Sequence, residues 1–254
     1  MGRKGGSAHL KREMAPKFWP IHRKAFSWTV KPKPGPHPIC QCVPLVIMVR
    51  EMLGLAKTKK EARTIISQGK ILVDGKIRSD EHFPMGLMDV VSIPEIKKDY
   101  RLLPSQKGLF LNPINADESK FKLCRIEGKE TLDNGRTQLN LHDGRNLLID
   151  AGNPKSSPEV VYRTLDVVKI SLPEQEILER LKLEKGMLTL FAGGANIGKY
   201  GTITDINVQA GQKRGNSIVA IKSEDGETFQ TTLNYAFVIG DKTPRISLRN
   251  VERQ

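Results

Sequence analysis

Cysteine is scarce in this chain of 254 residues, with Cys40, Cys42 and Cys124 the only three. That is too few for a disulfide framework and fits a reducing cytoplasm. Long apolar runs are missing as well: the longest, Val43 to Val49, spans seven residues and contains Pro44, against the roughly 20 that cross a bilayer. No membrane partner is expected, and the chain opens without the apolar core of a secretory signal. Acidic residues are also in deficit, 28 Asp and Glu against 41 Lys and Arg, which leaves a net charge of +13. A field of that sign attracts polyanions, with nucleic acid the leading class and an anionic membrane surface the second.

The excess charge is unevenly placed. Residues 1–42 hold nine Lys and Arg against one acid, 43–105 hold eleven against eight, 106–176 ten against eleven, and 177–254 eleven against eight. A concentrated excess makes a binding surface where a uniform one would only aid solubility, so the contact surface is expected to be mainly N-terminal.

Residues 1–42 read as a basic N-terminal arm. Gly2, Gly5 and Gly6, then Pro32, Pro34, Pro36 and Pro38, interrupt any helical or alternating apolar period, and alone the arm is expected to be largely disordered. Phe18, Trp19, Phe26 and Trp28 lie among Lys11, Arg12, Lys17, Arg23 and Lys24. Rings can stack on bases while cations neutralise phosphate. The alternative, that both Trp side chains enter the protein's own core and the cations face water, stands equally open.

From residue 43 the pattern becomes regular. Leu45, Val46, Val49, Met52 and Leu53 recur at three- and four-residue intervals, predicting a helix that stops near Gly54. Thr58-Lys59-Lys60-Glu61 is a capping box opening a second helix, whose inner face is Ala62, Ile65 and Ile66 and whose stop is Gly69. Ile71, Val73 and Ile77 alternate around Asp74-Gly75, a dipeptide suited to a tight hairpin. Opposite the apolar face stand Lys59, Lys60 and Arg63, followed by Lys70, Lys76 and Arg78, cations expected to gather on one side.

The ordered run from Arg50-Glu51-Met52-Leu53 through Thr58, Glu61, Ala62, Gly69-Lys70-Ile71 and Val73-Asp74-Gly75-Lys76 to Asp89-Val90-Val91 resembles the small RNA-binding module named after bacterial ribosomal protein S4. The module implies binding of structured RNA. It is shared with tRNA synthetases and pseudouridine synthases, so the remaining chain has to decide between them.

Residues 106–176 carry short apolar alternations punctuated by Asn134-Gly135 and Asp143-Gly144, the pattern of a central β domain. Residues 174–183 fit either a helix or a strand. Residues 177–243 then show five short strand signals, Leu188 to Phe191, Thr202 to Val208, Ile218 to Ile221, Phe229 to Thr232 and Phe237 to Ile239, which suggest a small barrel. Gly193 to Lys199 meets most of the phosphate-loop pattern, but Tyr200 stands where Ser or Thr would hold magnesium, and a strand follows instead of a helix. Nucleotide hydrolysis is not expected. The same glycines, Gly186, Gly194, Gly198 and Gly201, resemble a KOW motif, with Lys199 and Tyr200 projecting from the loop; they can also do no more than close a barrel.

Taken in order, the basic glycine-rich start with Trp19, the RNA module, the β middle and the barrel with Gly-Gly-Ala-Asn-Ile-Gly resemble, over nearly the whole length, the small-subunit ribosomal protein family S4e of archaea and eukaryotes. The chain stops soon after Thr243-Pro244-Arg245-Ile246-Ser247-Leu248, a short tail at 244–254 that favours the archaeal type. The resemblance implies a multidomain α+β fold: the extended arm, a helix-helix-hairpin RNA-binding module at 43–105, the central β domain and a C-terminal SH3-like KOW barrel. It implies a structural constituent of the cytoplasmic ribosome, with no catalytic residues, whose partners are small-subunit ribosomal RNA and neighbouring ribosomal proteins and not a small-molecule substrate.

The expected RNA-binding residues are Arg3, Lys4, Lys11, Arg12, Lys17, Trp19, Arg23, Lys24 and Trp28 in the arm, Lys59, Lys60, Arg63, Lys70, Lys76 and Arg78 in the module, and Lys199 and Tyr200 in the barrel. No cofactor is expected. His37, Cys40 and Cys42 lie close together, but a structural zinc needs four ligands and Cys124 is the only other thiol. His9, His22, His82 and His142 are scattered and suggest no acid–base pair.

The rival reading is a free RNA-binding factor or an RNA-modifying enzyme such as a pseudouridine synthase. The catalytic Asp which that family carries shortly after a Gly-Arg is missing at Gly135-Arg136 and Gly144-Arg145. A KOW-bearing elongation factor would explain only the C-terminal half.

Overall fold

In a computed structural model, residues 7–149, 162–207, 217–223 and 226–248 are described. Strand β1 (Leu10–Lys11) pairs with β2 (Trp28–Thr29), so the described part of the arm closes into a small two-stranded turn. It does not hang free. Ala15, Trp19 and Val30 enter a core cluster with Leu45, Val49, Ala62, Ile66 and Ile71, and at roughly 1.5–3 kcal/mol for each large apolar side chain fully buried this packing holds the arm against the body. The sequence suggested disorder because the arm has no period of its own; its order comes from contact with the next segment.

After β3 (Val43–Pro44), the first helix is shorter and wider than its stripe predicts. It is α1 (Leu45–Ile47) continued by a π turn over Met48–Met52, in which the Leu53 amide donates to the Met48 carbonyl at 2.9 Å. The extra residue per turn turns Arg50 and Glu51 toward solvent while Met48 and Val49 stay fully buried. Helix α2 (Lys59–Ser67) begins on a complete capping box: the Glu61 amide donates to Thr58 Oγ1 at 3.2 Å and the Thr58 amide to Glu61 Oε2 at 3.3 Å. Hydrogen bonds to the Glu61 carboxyl from the Lys57 amide, the Thr58 amide and the Thr58 side chain hold it below its ordinary range.

Strands β4 (Leu72–Val73) and β5 (Lys76–Ile77) form the expected hairpin, with φ of 51° at Asp74 and 73° at Gly75. Strand β6 (Pro84–Met85) pairs with β3, while β7 (Val90–Ile93), β8 (Lys98–Ser105) and β9 (Gly108–Ile114) extend the hairpin into an antiparallel five-stranded sheet ordered β5-β4-β7-β8-β9.

A second five-stranded sheet, β12-β11-β10-β13-β14, is built from β10 (Phe121–Thr131), β11 (Thr137–Leu141), β12 (Asn146–Ile149), β13 (Val167–Ser171) and β14 (Ile177–Leu181). Within residues 174–183, ambiguous by pattern, Ile177–Leu181 is thus a strand paired antiparallel to β13.

The third sheet, β18-β17-β16-β15-β19, comprises β15 (Leu188–Phe191), β16 (Tyr200–Asn207), β17 (Ile218–Lys222), β18 (Thr228–Thr232) and β19 (Ala236–Gly240). Its loop before β16 needs Gly198: at φ +83°, an added Cβ would stand 2.9 Å from the Pro104 carbonyl oxygen of the first sheet.

Shared cores join these sheets. Leu103 of the first, Leu123 and Val167 of the second, and Leu188, Leu190 and Phe237 of the third pack in one cluster. Among the described residues no helix is long and apolar enough to cross a membrane.

Candidate nucleic-acid interface

The α2 surface follows from its capping box and its apolar spacing. With Ala62 and Ile66 fully buried, the residues between them are forced outward, and Lys59, Lys60 and Arg63 are all exposed. Lys59 and Arg63 lie one turn apart on the same strip. Lys59 Nζ is 3.6 Å from Glu81 Oε1, a loose pairing on an ammonium that is half exposed. Among the described residues Lys60 and Arg63 have no carboxylate within 4.0 Å, so their charge is available to an external anion.

The remaining expected cations do not all join this strip. Lys70 is partly buried and bonded to Glu95 at 3.1 Å. The Arg78 guanidinium stacks 4.5 Å over the Phe83 ring with Nε buried and unpartnered. Lys76 is exposed on the hairpin. In the third sheet, Lys199 Nζ sits 3.7 Å over the Phe229 ring, and Tyr200 is half-buried against the shared core.

Two arm residues are corrected. Trp19 is 3% exposed, and its indole N–H donates to the Cys42 carbonyl at 2.7 Å; a ring with both faces packed cannot stack on a base. Arg12 is 6% exposed. Its Nε donates to the Trp28 carbonyl at 3.2 Å and a second guanidinium nitrogen to the His22 carbonyl, so it braces the arm from inside. Arg23 is half-buried and likewise donates to the Glu13, Ala15 and Pro16 carbonyls. Lys11, Lys17, Lys24 and Trp28 are exposed. Arg3 and Lys4 lie outside the described residues.

What the sequence did not reveal is a buried ionic hub behind the interface. Lys122, fully buried on β10, brings Nζ within 2.9 Å of Asp74, 2.6 Å of Asp89 and 2.9 Å of Asp143. Arg145 adds contacts to Asp74 and Asp143, and the His37 ring meets Asp89 at 3.2 Å. Burial alone would lower the Lys122 pKa, but the three carboxylates outweigh it and hold it well above the usual range. Burial likewise opposes ionisation of Asp143, yet Lys122, His142 and Arg145 bring it down to about 2.

Potential metal ligands sit at the hub's edge. Atoms of Cys124, His142 and Asp143 come within 4.8 Å of one another. Lys122 already neutralises Asp143 there, and burial with the Asp143 charge keeps the Cys124 thiol protonated; a cation would have to displace both a proton and an ammonium. Of the other cluster, His37 and Cys42 are buried while Cys40 is exposed, and burial chiefly, with Cys40 and Asp89, pushes the Cys42 thiol up to about 12. Neither group is prepared as a thiolate site.

Comparison with known proteins places most of the chain within matched families. Residues 4–40 match the RS4NT domain, 43–91 the S4 domain and 96–177 the ribosomal family S4e. The chain is 49% identical over 249 residues to the small ribosomal subunit protein eS4 of Staphylothermus marinus, covering 98% of each. It is 48% identical to the protein of that name from Desulfurococcus amylolyticus, again over 98% of each. Among solved structures it is similar to the 30S ribosomal protein S4e of Thermoplasma acidophilum, with a TM-score of 0.64 and 27% identity, covering 79% of this chain and 96% of that one.

Proposed function

This chain belongs to the ribosomal S4e family, and from that premise we propose that it is a structural constituent of the small ribosomal subunit, binding and stabilising folded small-subunit ribosomal RNA. The observation that carries the reading is the 49% identity over 98% of both chains with a small-subunit eS4 protein. The role is structural and not enzymatic. Its partners are ribosomal RNA and neighbouring small-subunit proteins, and its place is in the ribosome in the cytoplasm.

The RNA surface centres on α2. Lys59, Lys60 and Arg63 neutralise phosphates, each displaced counterion adding an entropic drive that weakens with salt. Exposed Lys76, Lys11, Lys17, Lys24 and Trp28 extend the contact, with Lys70, Arg78, Lys199 and Tyr200 at its margins and Arg3 and Lys4 at the arm's start. Arg12, Arg23 and Trp19 serve the same surface indirectly, by holding the arm in shape.

The third sheet is a KOW-type SH3-like barrel in this reading. Support comes from its five antiparallel strands and from Gly198 closing the loop against the first sheet. The chain then divides into arm 1–42, module 43–105, central domain 106–176, barrel 177–243 and tail 244–254.

The test is sedimentation of a native lysate through a sucrose gradient, probing each fraction for the protein before and after a high-salt wash. Co-migration with small subunits that survives the wash is expected. Recovery in the soluble fractions would overturn the reading and leave a free RNA-binding factor.

A further inference from the structure

The arm treats its two tryptophans in opposite ways. Trp19 is buried with its N–H satisfied, whereas Trp28 is 56% exposed and Phe26, two residues earlier, is 72% exposed. They are the two most exposed of the Phe, Trp and Tyr rings among the described residues. Leaving such apolar area in water is unfavourable, and Trp19 of the same arm does enter the core of the body.

The chain around these rings is also fixed. The Arg12 amide donates to the Ser27 carbonyl at 3.0 Å, Arg12 Nε donates to the Trp28 carbonyl at 3.2 Å, and the guanidinium lies 5.2 Å from the Phe26 ring centre. The His9 ring abuts Trp28 at 5.5 Å with the planes tilted by 53°. Lys11 stands directly across from Trp28 in the two-stranded pairing, and Lys24 is exposed two residues before Phe26. Glu13 is the only acid in residues 1–42.

From this arrangement we propose that Phe26 and Trp28 form a base-stacking platform for unpaired nucleotides of RNA, a contact distinct in kind from the phosphate contacts of α2. The proposal rests on the RNA-binding reading above and names the class of RNA that the arm takes. Ring faces accept any base without reading its sequence, while cations beside them neutralise the strand's phosphates. A neighbouring protein could also cover exposed rings, but surrounding positive charge with a single acid favours a polyanion. Arg12 is a positioning residue: buried beneath Phe26, it holds the rings in place and leaves their outer faces open.

The test uses the full chain, because Trp19 is buried and a change in emission therefore reports chiefly Trp28. Titration with a short single-stranded oligoadenylate is expected to quench the tryptophan emission, and an A-form duplex of the same length is not. With a labelled oligoadenylate, the double variant Phe26→Leu, Trp28→Leu is expected to lose about tenfold in affinity. Trp28→Phe retains most of it, and both variants keep the wild-type unfolding temperature because the replaced rings are exposed.

Equal affinity of the double variant and the wild type for the oligoadenylate would overturn the proposal. So would emission that responds only to added small-subunit proteins. A parallel gel shift with small-subunit ribosomal RNA separates the two levels: a wild-type protein that binds that RNA but ignores the oligoadenylate sinks the platform alone. One that fails to bind the ribosomal RNA sinks the RNA-binding reading with it.

Discussion

Lys122 Nζ lies 2.9 Å from Asp74 Oδ2, joining the first strand of the central sheet to the hairpin turn of the RNA-binding module. The same ammonium holds Asp89 before β7 and Asp143 in the turn after β11. One buried cation therefore sets the orientation of two sheets. Replacing it with the apolar Lys122→Met leaves three buried carboxylates without their shared ammonium, with only the Arg145 guanidinium on Asp74 and Asp143 and the His37 ring on Asp89. Stability is expected to fall by about 3–5 kcal/mol, the usual cost of breaking a buried pair from one side, as read from urea unfolding. A loss below about 1 kcal/mol would mean that the carboxylates are neutral or hydrated and that the hub does not set the geometry.

The hub also makes stability depend on acid. His142 accepts the Arg125 amide at Nδ1 (3.2 Å) and presents Nε2 to the Leu87 carbonyl at 3.3 Å, a pattern suited to the neutral ring with its proton on Nε2. Burial chiefly, together with Lys122 and His37 and against Asp143, lowers its pKa to about 3. A folded-state value below the unfolded one means that the unfolded chain takes up the proton first, so stability drops as pH falls from about 6.5 toward 3. Asp143, lowered to about 2, contributes stability that is complete above the ordinary Asp range and is lost as pH falls through about 2. Unfolding midpoints measured from pH 7 to pH 3 are expected to decline, and His142→Gln to flatten the part of the decline above pH 4. A midpoint constant from pH 7 to pH 4 would contradict the neutral assignment of His142.

Trp19 makes the arm's order testable. Trp19→Phe keeps a ring in the cluster but leaves the Cys42 carbonyl without its donor, a cost of about 1–3 kcal/mol. Trp19→Ala is expected to cost about 3–5 kcal/mol and to release residues 7–42 to proteolysis. Wild-type protease resistance of that segment in Trp19→Ala would show that β1 and β2 and the Arg12 contacts hold the arm by themselves.

Local signals in the sequence carried the module well, because their partners lie within three residues: Thr58 with Glu61 at the start of α2, and Asp74 with Gly75 in the hairpin. Asp74 was legible as a turn residue and illegible as an anion of the hub. Lys122 lies 48 positions further on, and no periodicity links a turn carboxylate to a lysine in an apolar strand. The arm's cations show the same limit. Arg12 and Lys11 are adjacent and chemically alike in sequence, yet the two-stranded pairing turns one guanidinium under Phe26 and leaves the neighbouring ammonium in water. The π turn at 48–52 was hidden because Val49, Met52 and Leu53 keep the three- and four-residue spacing of an α-helix across it.

The strip on α2 separates charge from shape. Reversing Lys59 and Arg63 together, as Lys59→Glu and Arg63→Glu, changes two exposed side chains one turn apart and leaves the buried Ala62 and Ile66 untouched. Affinity for small-subunit ribosomal RNA is expected to fall, and the slope of log K against log salt to flatten by about two, one for each phosphate contact removed. Single-stranded oligoadenylate affinity should change less than that of the Phe26 and Trp28 double variant, since stacking does not pass through α2. Loss of affinity with an unchanged salt slope would point to misfolding of the helix, which circular dichroism of the double variant would reveal. Unchanged affinity and slope would take α2 out of the interface and move the burden of binding to the arm.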